Sequence, residues 1–247
     1  MTQPTAIVVG VGALEGVGAA VTRRFAREGY HVFAAGRTQA KLDAVAAAVA
    51  QDGAGSAEPI VADATSEEAV AALFARAFTP AAGKAIPDVV VFNAGDNRPV
   101  PFRDITPAQF EAFWRIGCYA GFVVGREAAK HLVPLGRGTI IFTGASGSLR
   151  GKQNFAHFAA AKAGLRMIAQ SMAREFGPQG IHVAHTIIDG GIDGARLNTA
   201  APGRKDMRGE NGMLQVEPIA DAYWQLHKQH PSAWSQELEL RPFKEPW

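Results

Sequence analysis

The chain has 247 residues, 25 Lys+Arg against 23 Asp+Glu, and a single cysteine. That length can bury a full core in one large domain or two small ones, and the near balance of charge argues against a nucleic-acid or membrane-surface protein. The lone Cys118 excludes a disulfide framework within the chain and a cysteine-built zinc site. No apolar run reaches the length of a membrane span. The first apolar stretch, broken by glycine and preceded by no basic segment, does not read as a signal peptide. A cytoplasmic globular protein is expected, rich in glycine with 27 residues against a usual share of about 7%.

Strand-like and helix-like segments alternate in chain order. Residues 6–10 form a short apolar run feeding a glycine cluster. Residues 16–28 repeat Val17, Val21 and Phe25 at helical spacing, with Gly29 as the stop. Residues 31–35 are a second strand, and 41–49 an alanine-rich helix with Leu42, Val45 and Val49 on one side. Ile60-Val61 marks a third strand, after which Ser66 caps a helix whose first turn carries Glu67 and Glu68. Residues 88–93 are almost wholly apolar, as strands buried on both faces are. Thr106-Pro107 opens a long helix to about Leu132; strand 139–143, helix 155–176 and strand 181–188 follow. These β–α units predict a single domain, residues 1–247, built as a doubly wound parallel α/β sheet with helices on both faces. Residues 190–213, rich in Gly, Asn, Ala and Arg, read as a mobile substrate loop or lid. A helix over 216–230 and a C-terminal extension, 231–247, complete the chain. In that extension Leu238 and Leu240 alternate with charge as in an edge strand.

The first strand runs into Gly10-Val-Gly12-Ala-Leu-Glu-Gly16-Val-Gly18, and a helix follows directly. Such a turn lets backbone approach a pyrophosphate, lets helix pack on strand, and aims the helix N-terminus at the phosphates. Cofactor choice is argued from charge. No Asp or Glu lies between Gly29 and Leu42 to hold a ribose 2′-hydroxyl, whereas Gly36-Arg37 ends the second strand. Arg37 suits the 2′-phosphate of NADP(H), which is favoured over NAD(H), although the acidic Glu15 within the glycine turn counts against that choice.

The spacing Gly12-x-x-x-Gly16-x-Gly18 resembles that of the short-chain dehydrogenase/reductase family, with Val11 where threonine is usual. Asp63 after the third strand, Asn93-Ala94-Gly95 after the fourth, Lys162 on the long helix, and Asp189-Gly190 in place of a Pro-Gly turn fall in the family's order. The resemblance covers residues 6–192. It implies cofactor contacts from Gly12, Leu14, Gly16, Val17, Gly18, Arg37, Asp63, Ala64, Asn93, Ala94, Gly95, Lys162, Gly190 and Ile192.

The family's catalysis uses a tyrosine to move the proton, a serine to steady the substrate oxygen, an asparagine to hold a water, and a lysine that lowers the tyrosine pKa and binds ribose. Here Phe158 stands at the tyrosine position, Ala145 at the serine and Gly117 at the asparagine; Lys162 alone remains. A general acid is worth roughly 10²–10⁴ in rate and an oxygen-stabilising donor roughly 10²–10³. Their loss predicts slow carbonyl reduction unless another group substitutes. Ser146, next to Ala145, is the candidate for a substrate hydrogen bond. Ser148, Arg150, His157, Asn97 and Tyr119 are further stand-ins, with His157 turned away toward a neighbouring helix.

Three readings stay open: an NAD(P)(H)-dependent oxidoreductase of a small carbonyl or alcohol with an atypical site, a silent nucleotide-binding sensor or partner subunit, or a non-redox elimination using Lys162 as base. Phe110, Phe113, Trp114, Ile116, Tyr119, Phe122, Val123 and Val124 surround the long helix instead of forming one stripe, so its outer side needs a cover. The resemblance places the dimer contact there, and a homodimer or homotetramer is expected.

Overall fold

The computed structural model describes residues 2–245. Met1, Pro246 and Trp247, which fall within the expected domain span and C-terminal extension, lie outside the described residues. Seven strands form one sheet: β1 (Thr5–Val9), β2 (His31–Gly36), β3 (Ser56–Val61), β4 (Val89–Phe92), β5 (Gly138–Thr143), β6 (Ile181–Ile188) and β7 (Glu237–Leu240). All adjacent pairs are parallel and the order is β3-β2-β1-β4-β5-β6-β7. The doubly wound α/β architecture expected from the alternation is therefore the one observed.

β1, β2, β4 and β6 are buried along their whole length, which is why they read as continuous apolar runs. β3 begins four residues before Ile60. Its Pro59, opposite Ala34, hides the strand in the sequence, but an edge strand can place a residue without an N–H on its open side.

Helices α1 (Val17–Arg27) and α2 (Gln39–Asp52) pack on one face with a later helix, α9 (Val216–Lys228). Phe25, Tyr223 and Trp224 fill the layer between. On the other face α3 (Glu67–Phe78), α5 (Ala120–Leu132) and α6 (Ala156–Phe176) cover Phe74, Phe92, Leu132 and Leu165. The Ser66 hydroxyl accepts from the Ala69 N–H at 3.2 Å, and Thr106 with Gln109 forms a full capping box. Both starts are those the sequence predicts.

The long helix is not uniform. α4 (Pro107–Trp114) passes through a π-helical turn, Arg115–Tyr119, into α5. Nor is 190–213 a bare loop: it carries α7 (Ala195–Ala200) and α8 (Arg204–Arg208). Among the described residues no helix is long and apolar enough to cross a membrane.

Candidate active site

The strand order reverses between β1 and β4, and at such a switch point the carboxyl ends of the strands open into a crevice. The glycine turn closes it from one side. A Cβ on Gly18 would lie 2.6 Å from the Gly10 carbonyl oxygen, so only glycine lets α1 pack against the turn. At Gly36 a Cβ would run into the Val11 carbonyl, which pins the end of β2 under the same turn. Gly12 differs: nothing lies within 4 Å of the position its Cβ would take. The turn therefore presents open backbone at the N-terminus of α1, a cradle that fits a dinucleotide pyrophosphate. Asn93 closes the far side by donating Nδ2–H to the Gly10 carbonyl at 3.1 Å.

Arg37 is exposed at the end of β2. Asp63 accepts from the Thr65 N–H at 2.9 Å and from its hydroxyl at 2.8 Å; these bonds, with Arg37 nearby, hold its carboxyl below the usual carboxylate range. Arg37 thus stands over the same end of the sheet as Asp63. Val17 and Ala64 are buried in the core, and Leu14 and Ile192 pack against it. These four offer a ligand little beyond backbone. Gly16, Ala94 and Gly95 line the crevice half-buried, and Gly190 backs onto Pro242.

Lys162 is buried and donates from Nζ to the Thr143 carbonyl at 2.7 Å. Its Nζ is 3.3 Å from where a Cβ on Gly95 would sit. Burial, helped by the charge of Arg196, pulls its pKa down to about 8. Four residues earlier, the Phe158 ring lies on Gly147, 3.0 Å from that residue's would-be Cβ. Phe158 is therefore beside the Ala145–Ser148 turn, and its side chain has no proton to give.

The stand-ins separate clearly. Ser148 spends its hydroxyl on the Ala145 carbonyl at 2.7 Å. His157 is fully buried against Phe113, ring centroids 4.0 Å apart, with Nε2 on the Arg98 carbonyl. Tyr119 donates to Glu67 at 2.6 Å, which raises its pKa. Cys118 is buried. Ser146 remains half-buried beside Asp189.

Asp189 is a feature whose role sequence reasoning missed. Its buried carboxylate accepts from Arg150 Nη2 at 2.9 and 2.8 Å and from Arg241. Burial alone would raise its pKa; the Arg150 bonds, the Ser146 hydroxyl and both guanidinium charges outweigh that and hold it low. It ties the turn after β5 to the segment after β7. Arg196 was missed too: Nη1 donates to the Gly95 carbonyl at 3.2 Å and Nη2 to Asn97 Oδ1 at 2.6 Å, bridging α7 to the loop after β4. No local pattern marks these pairings, because the partners lie 39 to 101 residues apart in sequence.

A family model described as short chain dehydrogenase matches residues 5–203. The NADPH-dependent 1-acyldihydroxyacetone phosphate reductase of Saccharomyces cerevisiae is 32% identical over 76% of this chain; the match spans 62% of the reductase, less than two thirds of its length. A short-chain dehydrogenase from Rhodopseudomonas palustris superposes with a TM-score of 0.80 at 40% identity, covering 97% of this chain and 99% of the other. A putative NAD(P) dependent gluconate 5-dehydrogenase from Beutenbergia cavernae, with bound NADP, gives 0.84 at 25% identity over 99% and 97%.

Proposed function

The chain belongs to the short-chain dehydrogenase/reductase family of oxidoreductases, and from that premise we propose that it binds NADP(H) and acts on a small carbonyl or alcohol substrate without the family's tyrosine. The observation that carries this reading is the open backbone at Gly12, at the N-terminus of α1. In the proposal Gly12, Gly16 and the N-terminus of α1 take the pyrophosphate, Arg37 takes the 2′-phosphate, and Lys162 holds the nicotinamide ribose. The NADPH dependence in the yeast reductase's name and the NADP in the Beutenbergia structure agree with that choice.

A dinucleotide held there would supply the hydride chemistry at a substrate carbon. Ser146, whose hydroxyl already turns to Asp189, keeps lone pairs to accept a hydrogen bond from a substrate hydroxyl. Phe158 walls the cleft and leaves the proton to water. Lys162 near pH 7 is largely protonated and already bonded to a backbone carbonyl, which suits a ribose anchor better than a base for elimination. Residues 190–213 serve as the substrate lid, with Arg196 reaching across the cleft.

A silent binding protein is the second reading, favoured by one observation: a Cβ on Gly117 would lie 2.9 Å from the Ala161 Cβ, so an asparagine there would have to displace α6. Fluorescence titration with NADPH and NADH, beside a turnover screen of aldehydes, ketones and alcohols, decides between them. Turnover supports the dehydrogenase, and tight binding with no turnover supports the silent protein.

The assembly is a homodimer or homotetramer. Trp114 and Phe122 stay exposed on the long helix, and a groove of about 530 Å³ between α5 and α6 is lined by Phe122, Ile168, Met172 and Phe176 among others. An apolar face of this size is covered most simply by its own copy. Light scattering at micromolar concentration tests it; a monomer refutes it.

A further inference from the structure

Two cations meet at Gly95 with no carboxylate between them. Lys162 approaches from α6 below, and Arg196 from α7 above, donating to the Gly95 carbonyl. The partners of both are neutral: the Thr143 and Gly95 carbonyls and the Asn97 side-chain oxygen. The other titratable groups facing Lys162 are uncharged as well. Burial pushes the Cys118 thiol up and His185 down to about 4, so the first stays protonated and the second neutral.

Three carboxylates of the loops around this point are engaged elsewhere. Asp189 is held by Arg150 and Arg241, Asp193 by Lys205 at 2.8 Å, and Asp96 by Arg98 at 2.9 Å. Arg204, after β6, adds a third cation, its Nε 3.6 Å from where a Cβ on Gly191 would lie. Like charges gathered in a cleft without counter-charge repel one another and focus potential on an incoming anion.

Resting on the dehydrogenase reading above, we infer that the substrate carries a carboxylate, received by Arg196 where it bridges α7 to the loop after β4. Arg196 keeps Nε–H and part of its Nη hydrogens beyond the two bonds it makes, enough for a charge-assisted contact to a planar carboxylate. Its bonds to Gly95 and Asn97 fix the guanidinium above the loop that follows β4. A substrate anion there lies within reach of the nicotinamide end of the crevice, marked by Lys162. The same charge could instead answer a phosphate of the cofactor, and the experiment separates the two sources.

The probes are short-chain, cyclohexane and aromatic oxo- and hydroxycarboxylates, each beside its primary amide. Their binding is measured by calorimetry and ligand-observed NMR, on the protein with NADPH and without it. The wild type is expected to bind at least one carboxylate about tenfold or more tightly than its amide, the worth of one charge-assisted bond. Arg196→Gln should erase that preference, Arg196→Lys should keep part of it, and NADPH affinity should change less than about twofold in either. Arg196 is exposed, so neither variant endangers the fold.

Equal binding of carboxylates and amides by the wild type overturns the inference, as does a preference that survives Arg196→Gln. A loss of NADPH affinity in Arg196→Gln with the preference intact also overturns it, assigning the charge to the cofactor. Should the wild type bind no NADPH, the dehydrogenase reading fails. The carboxylate–amide comparison on the cofactor-free protein still decides the role of Arg196.

Discussion

Gly117 on the π-helical turn and Ala161 on α6 approach so closely that a Cβ on Gly117 would lie 2.9 Å from the Ala161 Cβ. Both residues are buried, and the two helices meet at their backbones. At the position where the resemblance puts an asparagine, the packing itself leaves a side chain little space.

Gly117→Asn should therefore destabilise the protein by about 1–3 kcal/mol, the usual penalty for overpacking a filled core. Adding Ala161→Gly opens the space and should return part of that loss, less the roughly 1 kcal/mol cost of glycine inside a helix. Urea midpoints of the single and double variants measure both effects. Equal stability of Gly117→Asn and wild type would show that the helices part easily.

Acid should unfold the protein through buried histidines. His185 has no exposed surface, and burial lowers its pKa to about 4; His227, beside Phe25 and Trp224, is lowered to about 4 by the same cause. A depressed histidine pKa means the unfolded chain binds more protons, so stability is present above about pH 6.5 and falls as pH drops toward 4. Asp88 works the other way, since burial raises its carboxyl to about 6 and the folded state then gains stability on acidification. Two histidines outweigh one aspartate. The expected loss from pH 7 to 5 is roughly 1–2 kcal/mol per histidine before the Asp88 offset. His227→Gln should flatten the dependence of the urea midpoint on pH; an unchanged slope would assign acid sensitivity elsewhere.

The sheet was legible because its strands are apolar runs between helix signals, and the glycine turn because backbone contact with a phosphate demands small residues at fixed spacing. β3 was shortened by Pro59, which argues against a strand everywhere except at an edge. The π turn left no trace in periodicity, since five residues of altered winding shift a helical pattern too little to read. Asp189 was visible only as a departure from Pro-Gly. Its meaning depends on Arg150 and Arg241, brought to it by the ends of β5 and β7, and on the parallel pairing of β6 with β7 that no local pattern encodes.

Arg37→Asp should weaken NADPH binding far more than NADH binding. The change removes a charge-assisted contact to the 2′-phosphate and adds repulsion, each worth about 1–3 kcal/mol. Asp63 lies close enough to feel the present charge, so the variant should also let the Asp63 pKa rise. Equal losses for the two cofactors in fluorescence titration would make Arg37 a surface residue without a role in the choice.

Restoring the missing acid tests what the cleft has become. The Phe158 ring rests on Gly147, within the turn that holds Ala145 and Ser146, and Lys162 is one helical turn further along α6. Phe158→Tyr adds a hydroxyl at the ring tip without changing the ring. The Lys162 charge would favour its ionised form and draw its pKa down from about 10. Ala145 has extended backbone with φ −160°, a conformation serine adopts without strain, so Ala145→Ser supplies the oxygen partner. The double variant should gain reductase activity toward small activated ketones of at least about 10², the lower end of a general acid's contribution, and the tyrosine change alone should gain less. The double variant leaves Gly117 unchanged, so the gain should fall short of a complete family site. If Phe158 packs instead on an aromatic substrate of other chemistry, the same change should lower native turnover and confer no ketone reduction. A double variant that binds NADPH normally and remains inert would mean the substrate pocket is closed, and the dehydrogenase reading would yield to the silent binding protein.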